Sequence, residues 1–114
     1  MKAGDENILL ISSEKRGLIE KFVPGAETLG ALSEYFFALS DGTRLKILSA
    51  LAITPLCVGD ISTVLGINQT TVSHQLRTLR LAGIVSCRRQ GKIGFYRIAD
   101  KSVLDVMLSA TDGI

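Results

Sequence analysis

"INQTTVSHQLRTLRLAGI", residues 67–84, carries apolar residues Val72, Leu76 and Leu79 at i, i+4 and i+7, the spacing of one face of a helix. Asn68 precedes the run as a good N-cap, and neither proline nor glycine interrupts it before Gly83. A helix is therefore expected over about 69–82. Its other faces show Gln69, Thr70, Thr71, Ser73, His74, Gln75, Arg77, Thr78 and Arg80. Thr70, Thr71 and Val72 are β-branched and only moderate helix formers, so helix propensity does not explain why they are there. The one histidine of the chain lies on this helix.

The flanking segments supply the context. Before it, Val58 to Leu65 reads as a short helix with Ile61, Val64 and Leu65 turned inward, and Gly66 suits a left-handed turn at its end. After Gly83 the apolar period falls from 3.6 to 2. In "IVSCRRQGKIGFYRIA", Val85 and Cys87 alternate with Ser86 and Arg88, a turn falls at Gln90-Gly91-Lys92, and Ile93, Phe95 and Arg97 resume the alternation. This is a β-hairpin with a basic tip.

Further out the reading is helical. Leu29, Leu32, Phe36 and Leu39 recur with helical spacing over about 27–39, widened by Tyr35 and Phe37, and such a stripe needs either the core or a second subunit to cover it. In "SDGTRLKILSALA", Ser40 or Asp41 can cap a helix whose inward positions are Leu45, Ile47, Leu48, Leu51 and Ala52, with the Ile53-Thr54-Pro55 segment ending it. A last helix from about Lys101 to Ala110 has Val103, Leu104, Met107 and Leu108 inward. Residues 1–24 hold the apolar run Ile8 to Ile11, then Leu18, Ile19, Phe22 and Val23. They read as an N-terminal extension, strand or helix, packed on a domain that spans 25–114.

Composition narrows the class. With 114 residues, 46% of them hydrophobic, and two prolines, the chain is one folded domain. It shows no apolar run of the roughly 18 to 20 residues that a membrane helix needs, and its start lacks a secretory cleavage pattern. A cytoplasmic protein without a membrane partner is expected, with its two cysteines reduced. Residues 61–99 hold Arg77, Arg80, Arg88, Arg89, Lys92 and Arg97 and no acidic residue; six positive charges there, in a chain of net +2, leave the remainder at −4. That asymmetry favours a polyanion at one surface. No pairing of base and nucleophile and no glycine-rich phosphate loop points to an enzyme, and no cofactor is expected.

The order short helix, glycine turn, polar-faced helix, basic hairpin defines a mainly α fold with a β-hairpin wing, the winged helix-turn-helix. The major groove of B-DNA admits one helix, whose N-terminal residues approach the base edges. Gln69, Thr70, Thr71, Ser73 and His74 are the candidate base readers. Arg77 is a candidate for phosphates, and in the wing Arg88, Arg89, Gln90 and Lys92 are the candidates for the flanking backbone or the minor groove of double-stranded DNA. A winged-helix module that binds protein instead is the competing reading, and salt-dependent binding to duplex separates the two.

Three blocks, "ALSDGTRLKILSAL", "LCVGDISTVLGINQTTVSHQLRTLRLAGIV" and "RRQGKIGFYRI", resemble the ArsR/SmtB family of bacterial winged-helix repressors over about residues 36–98. The resemblance implies a homodimer built from the first and last helices, with Leu29, Leu32, Phe36, Leu104, Met107 and Leu108 as dimerisation candidates. It also implies an inverted-repeat operator and release by a signal. One sensor site of the family is Cys-Val-Cys followed by an acidic residue; here the text is Cys57-Val58-Gly59-Asp60, with the second thiol replaced by glycine. The other needs an Asp-x-His pair and a later His; here Ser102 follows Asp100 by two and no histidine lies beyond residue 74. No metal site of either type is therefore expected. Two readings of Cys57 stay open: a small buried apolar residue, or, together with Cys87, a thiol sensor.

Overall fold

The computed structural model describes residues 8–112, which form helices α1 (Ser13–Phe22), α2 (Ala26–Leu39), α3 (Gly42–Leu51), α4 (Val58–Leu65), α5 (Gln69–Leu81) and α6 (Ser102–Asp112), with strands β1 (Val85–Gln90) and β2 (Ile93–Ile98) between α5 and α6. The chain divides into two compact units between Leu32 and Ser33, and the division falls inside α2. In the first unit, Ser12 caps α1 by accepting from Lys15 N–H at 3.1 Å, Arg16 pairs with Glu20 one turn on, and every residue from 8 to 32 is exposed.

The second unit holds the core. Ile47 and Leu48 of α3, Ile61 of α4, Val72, Leu76 and Leu79 of α5, Ile84 and Val103 of α6 all have 0% exposure, joined by Leu51 and Val85. Burying a leucine or isoleucine side chain of this kind contributes roughly 1.5–3 kcal/mol. The three apolar positions of α5 that recur at i, i+4 and i+7 are thus its anchor in the core. Local chemistry sets the helix ends. Asp41 accepts from Arg44 N–H at 3.0 Å and starts α3. Asn68 accepts from Thr70 and Thr71 N–H groups at 2.8 and 3.4 Å and starts α5. Gly66, at φ 67°, and Gly83, at φ 76°, stop α4 and α5 in the left-handed region. Beyond Gly83, the Ile84 N–H reaches back to the Leu79 carbonyl at 3.0 Å, and the two side chains are both buried. This apolar clasp turns the chain from the end of α5 into β1.

The sheet is one antiparallel hairpin with Val85 opposite Ile98, Cys87 opposite Tyr96 and Arg89 opposite Gly94. Its two-residue turn is Gly91-Lys92, with Gly91 at φ 65°. Leu56, just ahead of α4, exchanges two backbone hydrogen bonds with Tyr96, at 3.0 and 2.8 Å, and so fixes the outer edge of the hairpin.

Several expectations about packing are corrected. Helix α3 ends at Leu51, ahead of the Ile53-Thr54-Pro55 segment, and the chain turns over 52–54 before Leu56 pairs with Tyr96; Ala52, expected inward, lies past the helix end and is exposed. Val64 is 73% exposed, since the inward stripe of the eight-residue α4 is centred on Ile61 and Leu65. Leu108 is 64% exposed, because Val103 and Met107, four apart, define the inner face of α6, with Leu104 and Val106 beside them. Ile84, which carries no helical signal of its own, is a core residue.

Candidate nucleic-acid interface

With Val72, Leu76 and Leu79 anchored, the opposite side of α5 is free. Thr70, Ser73, His74 and Arg77 follow one another at i, i+3, i+4 and i+7, and with Arg80, Leu81 and Tyr96 they line an open cleft of about 780 Å³ between the outer face of α5 and the wing. Gln69 and Thr71 are exposed in the first turn of α5 beside it. Hydroxyl, amide and imidazole groups on such a ridge both donate and accept, which is what base edges require. Thr78, on another side of the helix, spends its hydroxyl on the His74 carbonyl at 3.3 Å.

Arg88, Arg89, Gln90 and Lys92 are exposed along the outer half of the hairpin. The Arg89 guanidinium donates to the Lys92 carbonyl at 3.1 Å, so the turn and its cation are braced together. Arg80 lines both the cleft beside α5 and a second one on the inner side of the wing, and Tyr96 does the same. Thr70, Ser73, His74 and Arg77 are thus joined to Arg89 and Lys92 through the shared walls Arg80 and Tyr96, a link that sequence spacing alone does not make, whereas Gln69, Thr71, Arg88 and Gln90 line neither cleft.

Arg44 is a bracing residue that pattern reading passed over. Its guanidinium donates to the Ala38 carbonyl at 2.6 Å, the Phe37 carbonyl at 3.2 Å and the Gln75 side-chain carbonyl at 2.7 Å. One planar fork therefore ties the C-terminal end of α2 and the start of α3 to the middle of α5. Gln75, polar and surplus to packing in the sequence, is held by this bond and is half-buried. The available signal was the arginine three residues after the Asp41 cap; its partner lies 31 residues away.

The dimerisation candidates fall into two settings. Leu29 and Leu32, in the first unit, are exposed, as are Phe36 and Leu108 in the second. Leu104 and Met107 are half-buried against the core. In the second unit Phe36, Leu39, Leu45, Val106 and Met107 line an apolar groove of about 560 Å³ between α2, α3 and α6. Cys57 is half-buried on the rim of the wing cleft rather than in the core, because it is the N-cap of α4; no side-chain hydrogen bond joins it to that helix. Among the described residues no three of His, Cys, Asp and Glu cluster as metal ligands, and no helix is long and apolar enough to cross a membrane.

A two-residue-turn hairpin following a glycine-linked helix pair, with the polar ridge of the second helix facing out beside it, defines a winged helix-turn-helix protein. Comparison with known proteins agrees. The model of the bacterial regulatory proteins of the arsR family matches residues 41–86. A transcriptional repressor SmtB homolog from Synechocystis is 34% identical over 103 residues, covering 90% of this chain and 78% of that protein. A cadmium resistance transcriptional regulatory protein CadC homolog from Staphylococcus aureus is 36% identical over 80 residues, covering 69% of this chain and 66% of that protein. Among solved structures, the homodimeric winged helix-turn-helix DNA-binding domain of a possible ArsR-family transcriptional regulator from Mycobacterium bovis superimposes with a TM-score of 0.68 at 32% identity, covering 91% of this chain and 87% of that one. The chain belongs to the ArsR/SmtB family of transcriptional regulators.

Proposed function

We propose that this protein is a cytoplasmic, dimeric, sequence-specific repressor that binds an inverted-repeat operator on double-stranded DNA and is released by an effector. Gln69, Thr70, Thr71, Ser73 and His74 read base edges in the major groove, Arg77 holds phosphate, and Arg88, Arg89, Gln90 and Lys92 follow the backbone beside it. The observation that carries this reading is the division of α5 into three anchors of 0% exposure and a polar ridge that shares a cleft with the wing. Exposed Leu29, Leu32 and Phe36, together with Leu104, Met107 and Leu108 of α6, supply the apolar surface for the second copy.

Selection of bound duplexes from a random library tests the proposal. The expected product is a two-fold symmetric site whose half-sites lie about one or two turns of DNA apart. On that site, the triple change Thr71→Ala, Ser73→Ala and His74→Ala abolishes the preference over random duplex, since each good base contact is worth about 1–3 kcal/mol of discrimination. The double change Arg88→Ala and Arg89→Ala removes four cations from the dimer, weakens binding to every sequence and lowers the slope of log affinity against log salt by up to about 3.6. A folded triple variant that binds the selected site like the parent overturns the assignment of α5, and binding insensitive to salt overturns the assignment of DNA as partner.

A further inference from the structure

The inner side of the wing holds a second cleft, of about 600 Å³, on which both cysteines open. Leu56, Tyr96 and Cys87 are successive partners in one row of backbone pairing, so the segment that leads into Cys57 and the strand that bears Cys87 flank Tyr96 on its two sides. Arg80, Arg89 and Lys92 stand on the walls of the same cleft. Arg89 lies two residues from Cys87 along β1, on the same face of the hairpin. Gly94, opposite Arg89, leaves room for the Cys87 sulfur where it stands: a Cβ at that position would come within 2.9 Å of Cys87 Sγ.

Two thiols and three cations around one open cleft suit a reagent that is both thiol-reactive and anionic. An internal disulfide is the poorer fit. The row from Leu56 through Tyr96 to Cys87 spans two strand spacings, about 10 Å, whereas a disulfide joins Cα atoms within about 7 Å. The cations bear on the anionic reagent by raising its local concentration at the cleft.

We propose that this cleft is the effector site, and that an anionic low-molecular-weight disulfide of the glutathione disulfide class exchanges with Cys87. The Cys87 sulfur attacks one sulfur of the reagent. The reagent's S–S bond breaks, a Cys87–S–S–R bond forms, and the other half leaves as a thiol carrying the Cys87 proton. Cys87 is oxidised and the departing half is reduced, so no further oxidant is needed. The bound half places its carboxylates against Arg80, Arg89 and Lys92, which withdraws wing cations from phosphate and fills the space beside Tyr96. This rests on the reading of the wing as a DNA contact, and its consequence is release of the operator that a thiol reductant reverses.

The test keeps the two readings apart. Intact-mass measurement on the reduced full-length protein, without DNA, follows adduct formation by glutathione disulfide, and titration of a selected duplex before and after follows binding. Expected are one glutathionyl group, located on Cys87 by peptide mapping, a fall in affinity of about tenfold with a shallower salt slope as phosphate contacts are lost, and recovery with dithiothreitol. Cys57→Ser keeps the adduct and Cys87→Ser loses it; Gly94→Ala, which crowds the sulfur without removing it, slows the reaction. The neutral 2-hydroxyethyl disulfide reacts more slowly than glutathione disulfide in low salt, and the gap closes as salt rises. Failure of the reduced, untreated protein to bind duplex defeats the DNA-binding reading and not the chemistry of the cleft. Absence of an adduct, an adduct on Cys57 alone, loss of two hydrogens without an adduct, a Cys87 adduct that leaves binding unchanged, or equal rates for the two reagents overturns the effector site.

Discussion

Helix α5 and the segment 8–32 are both rich in apolar residues at helical spacing, and they end in opposite states. In α5 the three apolar positions have 0% exposure and the polar ones are turned out. Between residues 8 and 32, Leu18, Ile19, Phe22, Leu29 and Leu32 sit on well-formed helices and are all exposed. The same periodicity thus marks a core anchor in one place and an uncovered face in the other. Helical spacing shows that an apolar face exists; only a partner surface within reach decides whether it becomes core or interface.

Paired substitutions break or sharpen this contrast. The largest effect is expected from Leu76→Ala, which removes a fully buried side chain and costs about 2–5 kcal/mol, read as a lower urea midpoint at unchanged slope. The matching change in the other region, Leu29→Ala with Leu32→Ala, shifts the unfolding of dilute protein by less than about 1 kcal/mol. If a second copy covers that face, as proposed, the double variant also dissociates at higher protein concentration in sedimentation equilibrium and loses the concentration dependence of its melting temperature. Equal sensitivity of Leu76 and Leu29 at low concentration would erase the distinction.

Arg44→Ala comes next. It frees Gln75 and two carbonyls at the end of α2 at once, and hydrogen bonds to a charged group are worth about 1.5–3 kcal/mol each when removed singly. Because the fork holds α5 in place, DNA affinity is expected to fall further than stability predicts, and Arg44→Lys, which keeps the charge but not the fork, recovers only part of it. Parallel chemical denaturation and duplex titration check this. Asn68→Ala, which removes the cap of α5, is expected to cost about 1 kcal/mol, with protection from hydrogen exchange lost first in the amides of Thr70 and Thr71. The smallest shift belongs to Val64→Ala: that side chain is exposed in α4, and a change under about 0.5 kcal/mol is expected where the sequence pattern alone expects a core loss.

Much of the site could be read from local residue order. Asn68 before a run free of glycine and proline, and Gly66 and Gly83 at its borders, place helix α5 to within a residue, because caps and left-handed turns depend on side chains a few positions away. The hairpin and its basic tip follow from period-2 alternation around Gly91 for the same reason. Where a neighbour came from far along the chain the pattern misled. Val64 and Leu108 lie just off the inner stripes of short helices, and Ala52 falls past the end of a helix that gives way to the Leu56–Tyr96 pairing.

By itself the sequence determined helices α2 to α6, the hairpin and the polar character of the α5 ridge, since those rest on backbone sterics, capping and periodicity over a few residues; the segment that forms α1 read equally as strand or helix. Tertiary structure decided the rest: that Gln75 is taken by Arg44 from 31 residues away, that α5 and the wing share one cleft, and that Cys57 and Cys87 open on another across Tyr96. No local rule relates residues so distant in the chain. They meet because burial of Ile47, Leu48, Ile61, Leu76 and Leu79 in one core fixes where the polar side chains around that core are placed.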